Sequence, residues 1–463
     1  MRAGTFFAAL FLILLAARLC HLDILWAEED LPMAAATQMK LGKTIYRDVW
    51  FDKPPLLASL YLAWGVRDGW LLRLAGALYA LLACALAYFF ARDLWGAREG
   101  FWAAGLLGFF LIFDFPSAVI PLAADLTMLV PHLAAVWLAF RGRALWSGIA
   151  AGVAFLINAK AVFVLAACAL WSISALPMLI AGFCLPIAMA VAWLGFAGAL
   201  APYIDQVWRW GFLYAGTTFL EHPLRDGVIR SGDWLGFHAA LVAAAIWARS
   251  SVRWRLVAWA AISFAAALVG WRFFPRYFFQ LLPVLAIVAS RGMVLAKRRR
   301  VIVLALLLIP LVRFGPRYFL LARDLATGQP HQWSDVVLNQ DSQAAARMVR
   351  SLARSGDTLF VWGFRPDLWV YTGLPAATRF LDCQALTGVP ADRHLTQSVP
   401  VPGEFTRENR EELARARPTF VMDGLSLYNH ALAMDQYAEL RPWLAQYKEV
   451  ARTNGIVIYR IRF

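Results

Sequence analysis

Long apolar runs that carry almost no charge recur along the first two thirds of the chain. They include residues 6–17, 102–112, 122–140 and 301–312. Several of these runs extend towards the roughly 20 residues that a helix needs to cross the hydrocarbon core of a bilayer. Inside lipid, the backbone polar groups must be satisfied within the segment, which favours helices. The pattern therefore predicts a mainly α-helical polytopic membrane protein with about 11 transmembrane helices.

Basic residues lie in short clusters between the apolar runs and predict the side of the membrane that each loop occupies. Such clusters mark cytoplasmic loops. The clusters are Arg92 and Arg98, Arg141 and Arg143, Arg249, Arg253 and Arg255, and Lys297, Arg298, Arg299 and Arg300. This topology places residues 23–54 in a first outer loop and everything after Val312 outside. We expect a multi-pass protein of the cytoplasmic (inner) membrane.

The last part of the chain differs in composition and is typical of a soluble domain of roughly 150 residues. Short β-type runs at 358–362, 419–422 and 455–461 alternate with helical stretches at 342–353, 407–416 and 435–447. This alternation predicts an α/β fold. The chain then divides into a transmembrane catalytic module, 1–315, and an extracytoplasmic α/β domain, 316–463. The second unit lacks a glycine-rich phosphate loop and a nucleophile elbow, which favours an accessory role.

The composition agrees with a membrane protein and argues against nucleic-acid binding. Hydrophobic residues make up 61% of the chain and charged residues 16%, against about 45–50% and about 25% in soluble domains. The formal net charge of +14 is spread over loops between spans, whereas a nucleic-acid-binding protein concentrates its charge on one domain. We therefore expect membrane lipids, and no nucleic acid, among the partners.

The first outer loop holds the strongest candidates for chemistry. Glu28, Glu29 and Asp30 precede Pro32, which suits the first position of a helix that ends near Gly42. Backbone N–H groups and the helix dipole keep carboxylates ionised at a helix start, as a general base or a metal ligand requires.

A lysine held by two prolines stands where the same loop re-enters the membrane. Lys53 precedes Pro54 and Pro55. A point positive charge at headgroup depth suits a lipid phosphate or diphosphate. The plainer alternative is a snorkelling lysine with acids that only solvate the loop.

These residues resemble the first extracytoplasmic loop of family C glycosyltransferases (GT-C). The similarity lies in the acidic pair, the short helix and the run Gly-Lys-Thr-Ile-Tyr-Arg-Asp-Val-Trp-Phe-Asp-Lys-Pro-Pro-Leu at 42–56. It is strongest to dolichyl-phosphate-mannose protein mannosyltransferases and lipid A aminoarabinose transferases. Residues 124–131, 272–283 and 361–366 agree with the same group.

The resemblance implies an activity and a set of site residues. A family member transfers a sugar from a polyprenyl-phosphate carrier to a lipid, glycan or protein acceptor at the outer membrane face, with inversion at the anomeric carbon. One carboxylate of the first loop deprotonates the acceptor hydroxyl. Glu28 and Glu29 align with the family's acidic pair by their spacing to Tyr46, and Asp30 is the alternative base.

The leaving phosphate in such a reaction needs positive charge nearby. The resemblance assigns this role to Lys53, Arg272 and Arg276, or to a divalent cation as a possible cofactor. In the related aminoarabinose transferases a metal is held partly by the acid before the Lys-Pro-Pro motif, which is Asp52 here. Asp125, where relatives often carry an acid, is a second candidate ligand.

Lys160 is an ionisable residue within an apolar stretch, interpreted as a further phosphate ligand. Together with Asn158 it also supports an alternative function, a transporter or flippase of a polyprenyl-linked or other lipid substrate. A transporter would place charges at mid-bilayer on broken helices of two related halves. The acids instead concentrate in outer loops and no internal repeat is evident, which favours the enzyme.

Overall fold

Apolar helices dominate the computed structural model, which describes residues 3–216, 220–389 and 398–462. Three helices of these ranges are long and apolar enough to cross a bilayer: Gly69–Leu94, Ala159–Phe196 and Pro275–Leu295. A fourth span would be the pair Lys297–Leu306 and Leu308–Thr327, which is bent by 41°. Together with five shorter apolar helices, they make the chain a polytopic membrane protein. The expected number of 11 spans stays a prediction.

The first 330 residues are almost entirely helical. The helices of the first half are α1 (Ala3–Leu19), α2 (Ala27–Lys40), α3 (Pro55–Ala63), α4 (Gly69–Leu94), α5 (Ala97–Phe110), α6 (Pro116–Val119), α7 (Ala124–Thr127), α8 (Leu129–Phe140), α9 (Ala144–Ile157), α10 (Val162–Ser172) and α11 (Leu176–Phe196). The next are α12 (Leu200–Tyr203), α13 (Trp210–Gly216), α14 (Pro223–Phe237), α15 (Ala239–Ala248), α16 (Trp254–Leu268), α17 (Leu281–Leu295), α18 (Arg300–Leu306) and α19 (Leu308–Thr327). The predicted domain boundary at 315/316 falls inside α19, and the division into two domains stays a prediction.

Small residues let α9 and α11 pack with their backbones in contact. A Cβ atom added to Gly148 of α9 would lie 2.1 Å from the carbonyl oxygen of Leu179, and one added to Gly182 of α11 would lie 2.1 Å from that of Leu145. Such close approach between small residues is a common way for helices to associate in lipid. The chain breaks between α9 and α10, at Asn158 and a 3-10 turn Ala159–Ala161. Pro186 lies inside α11.

The C-terminal part contains a mixed four-stranded sheet in the order β1-β2-β4-β3. The strands are β1 (Leu359–Trp362), β2 (Phe420–Asp423), β3 (Tyr447–Arg452) and β4 (Val457–Ile461). The helices are α20 (Ser334–Leu352), α21 (Asp367–Thr372), α22 (Gln384–Thr387), α23 (Glu404–Arg415) and α24 (Arg441–Leu444). β1 and β2 pair in parallel, with Leu359 opposite Phe420, and the other pairs are antiparallel. The predicted α/β character is therefore confirmed.

One predicted helix of this part is wrong. Residues 435–447 form a 3-10 turn (Met434–Gln436) and the single turn of α24, and the chain then enters β3 at Tyr447. Pro442 sits at the start of α24. Antiparallel pairing with β4 supplies the hydrogen bonds of the next residues, so tertiary contact overrides local helical propensity.

The C-terminal part is hydrogen-bonded to the first outer loop at several points. The Gln38 side chain donates to the carbonyl of Leu374 at 3.0 Å and accepts from the backbone N–H of Ala376 at 2.8 Å. Further along, the Trp50 backbone N–H donates to the carbonyl of Arg379 at 2.6 Å. This contact brings the strand-following loops of the sheet against the segment that holds the candidate catalytic residues.

Candidate active site

Helix α2 begins at Ala27, five residues before the predicted start at Pro32. The preceding residue, Trp26, is extended, and its backbone N–H donates to the Glu29 carboxylate at 3.2 Å. An acid three positions into the helix that accepts from the N-cap backbone is a known way to begin a helix. Glu28, Glu29 and Asp30 therefore lie within the first turn. Pro32, inside the helix, has no N–H to donate to the carbonyl of Glu28.

The side chain of Glu29 is buried in a structural ion pair. It is 0% exposed and accepts from both terminal nitrogens of the Arg73 guanidinium, one of them at 3.3 Å. It also accepts from the backbone N–H groups of Trp26 and, at 3.4 Å, Leu122. Glu29 does not line either of the two cavities described below. A carboxylate with this many donors is poorly placed to take a proton from a substrate.

Asp30 is also buried, at 3% exposed. Burial raises the pKa of its carboxyl well above the usual range, and the neighbouring carboxylate of Asp367 raises that pKa further. This shift favours the protonated form of Asp30, and a protonated carboxyl group cannot accept a proton as a general base does. Of the three acids, Glu28 is therefore the one whose position suits proton abstraction.

Glu28 lines a cavity of about 350 Å³ between the membrane helices, the first outer loop and the C-terminal part. The predicted site residues that line it are Glu28, Asp52, Lys53, Asp125, Lys160 and Arg276. Its apolar wall comes from membrane helices and includes Ile157, Val162 and Phe163. The cavity thus joins an apolar side to a group of charged side chains.

A chain of polar contacts connects the charged groups of this cavity. Glu28 pairs with Arg276 at 2.8 Å, and the same guanidinium lies 3.7 Å from Asp125. Asp125 accepts a hydrogen bond at 2.9 Å from the Asn158 side chain. In the sequence Asn158 was singled out, with Lys160, as support for a transporter, and its contact with Asp125 could not be predicted there.

Lys53 stands at the edge of the cavity on a braced turn of the first outer loop. Its ammonium lies 3.4 Å from Asp52, and its carbonyl accepts from the Tyr46 hydroxyl at 2.7 Å. Gln206, from a π-helical turn, donates to the carbonyl of Tyr46 at 2.7 Å and accepts from the N–H of Phe51 at 3.0 Å. Burial acts to lower the pKa of Lys53, but the carboxylates of Asp52 and Glu28 outweigh it and raise that pKa. Lys53 is therefore held as a cation.

Lys160 points its ammonium at the ring of Tyr277. The Nζ atom lies 3.2 Å from the ring centroid, is buried, and has no hydrogen-bond partner among the described residues. A cation over an aromatic face is stabilised by the ring quadrupole, but its three N–H donors are unused. Both residues line the cavity, so an anionic ligand there could accept from this group.

Arg272, the remaining predicted phosphate ligand, is not brought into the cavity. It is 2% exposed, and its guanidinium lies 3.9 Å from the ring centroid of Tyr214, a residue that does line the cavity. Its neighbours Trp271 and Phe273 both have a φ of +50°. Non-glycine residues in this region carry backbone strain, which is typical of functional segments.

The predicted metal ligands do not form a metal site of the usual kind. Asp52 and Asp125 both line the cavity, but each faces a cation, Lys53 and Arg276 respectively. Within the described ranges no three His, Cys, Asp or Glu side chains come close enough to hold a metal ion. Each of the two carboxylates is thus paired with a cation of the protein, and a divalent cation stays a prediction of the resemblance.

The C-terminal part contributes two residues to the cavity wall, Phe364 and Gln384. Phe364 follows β1 and Gln384 begins α22. The sequence indicated only an accessory role for this part of the chain. The two residues lie far from the first outer loop in sequence, and only the docking of the sheet brings them to the site.

A second cavity of about 270 Å³ adjoins the first. Its polar lining includes Glu28, Asp30, Arg365 and Asp367. The residues that line both cavities are Ala27, Glu28, Phe364 and Arg276. The Glu28–Arg276 ion pair thus forms part of the wall between two spaces, and each space also has other charged residues in its lining.

Comparison with known proteins establishes the fold. No family model and no curated protein sequence matches the chain. Among solved structures, the apo form of ArnT from Cupriavidus metallidurans matches with a TM-score of 0.58 at 17% identity, covering 99% of this chain and 98% of that chain. The same protein bound to undecaprenyl phosphate matches with a TM-score of 0.56 at 18% identity, covering 98% of this chain and 97% of that one.

A second solved protein, the oligosaccharyltransferase of Archaeoglobus fulgidus in its apo form, matches with a TM-score of 0.52 at 11% identity, covering 91% of this chain and 70% of that chain. ArnT, a lipid A aminoarabinose transferase, and this oligosaccharyltransferase are both GT-C glycosyltransferases. The chain therefore has the GT-C fold, and the similarity expected from its first outer loop is confirmed at the level of fold.

Proposed function

We propose that the protein is a membrane glycosyltransferase that moves a sugar from a polyprenyl-phosphate carrier to an acceptor at the outer face of the cytoplasmic membrane. The observation that carries the proposal is the position of Glu28, a carboxylate on the wall between two cavities and next to three cations. The GT-C fold supports it, since the matching ArnT structure is bound to undecaprenyl phosphate. The C-terminal part is extracytoplasmic in this proposal.

The first cavity suits the donor. Its apolar wall accommodates the start of a polyprenyl chain, and Lys53, Lys160 and Arg276 supply positive charge for the phosphate. In the free protein Arg276 is paired with Glu28 at 2.8 Å. A bound phosphate would compete for this guanidinium and release the Glu28 carboxylate for catalysis.

The second cavity suits the acceptor because charged side chains form part of its lining and because it meets the first cavity at Glu28. The acceptor hydroxyl gives its proton to the Glu28 carboxylate as its oxygen forms a bond to the anomeric carbon of the sugar. The bond from that carbon to the phosphate oxygen breaks, and the phosphate keeps the electron pair. Lys53, Lys160 and Arg276 stabilise the charge that develops on the leaving phosphate. Attack from the side opposite the phosphate inverts the anomeric carbon.

Transfer can be distinguished from transport with one assay. Purified full-length protein in detergent is given a synthetic undecaprenyl-phosphate hexose and extracts of envelope lipids, glycans and proteins, with no membrane separating them. The proposal expects loss of the donor and a new glycosylated product identified by mass spectrometry. Movement of the intact lipid across a vesicle membrane, without any product in the mixed assay, would instead favour a flippase.

Replacing Lys53 by Ala should weaken donor use. Because Lys53 is one of three cations at the phosphate position, we expect KM for the donor to rise roughly tenfold or more, as for a lost charge-assisted hydrogen bond. Steady-state kinetics with varied donor concentration measures this. Lys40→Ala is the matched control, since Lys40 is an exposed lysine of the same outer loop. Equal KM values in the two variants would contradict the role of Lys53.

A further inference from the structure

Trp210, at the start of α13, presents a buried donor to the first cavity. The residue lines that cavity and is 6% exposed. Its ring packs against Phe405 and Trp50, with centroids 6.2 Å and 6.3 Å away. The indole Nε1 is buried and has no hydrogen-bond partner among the residues that the structure describes. A buried N–H without a partner has lost its hydrogen bond to water without a replacement, so such a group needs an explanation.

Among the described residues, Trp362, Trp369 and Trp443 each donate from Nε1 to a backbone carbonyl, at 2.8–2.9 Å. Buried Nε1 atoms without a partner also occur in Trp26, Trp64 and Trp234, but none of these three residues lines the first cavity, as Trp210 does. A ligand oxygen in that cavity would complete the hydrogen bonding of Trp210.

Gln384 adds an oriented carboxamide to the wall of the same cavity. Its side-chain Nε2 donates to Asp382 at 3.0 Å, and its backbone N–H donates to the other oxygen of the same carboxylate at 2.8 Å. Asp382 and Gln384 are 3% and 4% exposed. Fixing Nε2 on Asp382 sets the direction of the amide oxygen, because the two atoms point to opposite sides of one planar group.

The pair formed by Asp382 and Gln384 lies within electrostatic range of the phosphate-binding cation. Burial raises the pKa of Asp382 to about 6; hydrogen bonds from Gln384 oppose this rise, the charge of Asp52 adds to it, and that of Lys53 reduces it. The membrane helix α10 lines the cavity through Val162 and Phe163. A donor lipid with its phosphate at Lys53 and its chain along α10 would leave its sugar facing the C-terminal part.

Building on the proposed function, we infer that Trp210 and Gln384 bind the sugar of the lipid-linked donor and select a neutral, hydroxylated sugar. The indole N–H requires an acceptor, such as a hydroxyl oxygen or the ring oxygen, and a protonated amine offers none. The carboxamide oxygen of Gln384 accepts from a sugar hydroxyl. A site built to hydrogen-bond a substrate group discriminates strongly against analogues that lack it.

The test compares two hexose-bearing lipids with the same lipid phosphate without a sugar. Binding of undecaprenyl-phosphate mannose, undecaprenyl-phosphate glucose and bare undecaprenyl phosphate is measured with full-length protein in nanodiscs. For the wild type we expect at least one hexose lipid to bind roughly tenfold or more tightly than the bare lipid. Trp210→Phe and Gln384→Leu should each reduce this preference about tenfold, the effect of losing about 1.4 kcal/mol. The Kd of the bare lipid should stay within about twofold.

The bare lipid serves as the folding check, since a misfolded variant would lose it as well. Trp210→Phe keeps an aromatic ring against Trp50 and Phe405. Trp443→Phe is the matched control, because Trp443 does not line the cavity and its indole N–H donates to the carbonyl of Ala416. It should leave the preference for the hexose lipid unchanged.

Two results would overturn the inference. One is a wild type that binds the hexose lipids no more tightly than the bare lipid. The other is an unchanged preference in both cavity variants. Failure of the transferase proposal would give a different result from these two. The wild type would then prefer the hexose lipid in the binding test but form no glycosylated product in the mixed assay.

Discussion

Glu28→Gln should lower the rate of sugar transfer roughly 10³-fold while changing donor binding only a few fold. The variant keeps the size and the hydrogen-bonding oxygen of the side chain but cannot accept the acceptor's proton, and a positioned general base contributes about 10²–10⁴-fold. Single-turnover kinetics with a lipid-linked donor separate the chemical step from donor binding. A small decrease of Kd for the donor is consistent with the mechanism, because Arg276, 2.8 Å from Glu28 in the free protein, would lose its internal partner.

Asp30→Asn is the matched control for this prediction. The pKa of Asp30 is raised well above its usual range, chiefly by burial, which favours the neutral carboxyl group that the asparagine side chain resembles. We expect the variant to keep its rate within about fivefold, far from the effect of losing a base. A rate that falls as much in Asp30→Asn as in Glu28→Gln would move the base to Asp30 and contradict the assignment.

The sequence predicted the architecture because its signals are local. Apolar runs, basic clusters and the change of composition near the end follow directly from how lipid and water treat side chains. The same logic pointed to Lys53 and Lys160, since a cation at membrane depth is rarely without a function, whereas Arg276 came from the family resemblance. The structure brings all three to one cavity.

The sequence could not decide which of the three adjacent acids faces the substrate. Neighbouring residues of an α-helix point about 100° apart, so the choice depends on where α2 begins and how it packs. Glu29 turns to Arg73, which is 44 residues away in sequence. Asp30 turns towards the loop after β1, where Asp367 raises its pKa. Neither partner has a local signal near the acids.

The contribution of the C-terminal part to the cavity could not be predicted from the sequence either. Trp210 and Gln384 reach one cavity only because the loops of the sheet dock on the first outer loop, as in the bond from the N–H of Trp50 to the carbonyl of Arg379. The strand β3 was missed for a related reason: its burial follows no simple alternation, and its hydrogen bonds come from β4. Long-range pairing of this kind leaves little trace in a single sequence.

Glu29→Gln should destabilise the folded protein rather than impair the chemistry alone. The substitution would leave the Arg73 guanidinium, 2% exposed, without its charged partner, and breaking a buried ion pair in this way costs about 3–5 kcal/mol. We expect a lower midpoint of thermal unfolding in detergent, measured by intrinsic tryptophan fluorescence. The exposed pair of Glu449 and Arg452 offers a control, since Glu449→Gln should leave the midpoint unchanged.

The double variant Glu29→Gln/Arg73→Met separates an unpaired charge from a lost contact. Replacing a buried ion pair by apolar groups of similar volume is often close to neutral, so the second substitution should recover most of the stability lost in the first. The same geometry predicts how the Glu29 substitution affects transfer. Because Glu29 holds the first turn of α2 through the N–H of Trp26, the protein that remains folded should keep the Glu28 carboxylate and measurable transfer. Wild-type stability of Glu29→Gln together with complete loss of transfer would instead make Glu29 the base, as the spacing to Tyr46 also allowed.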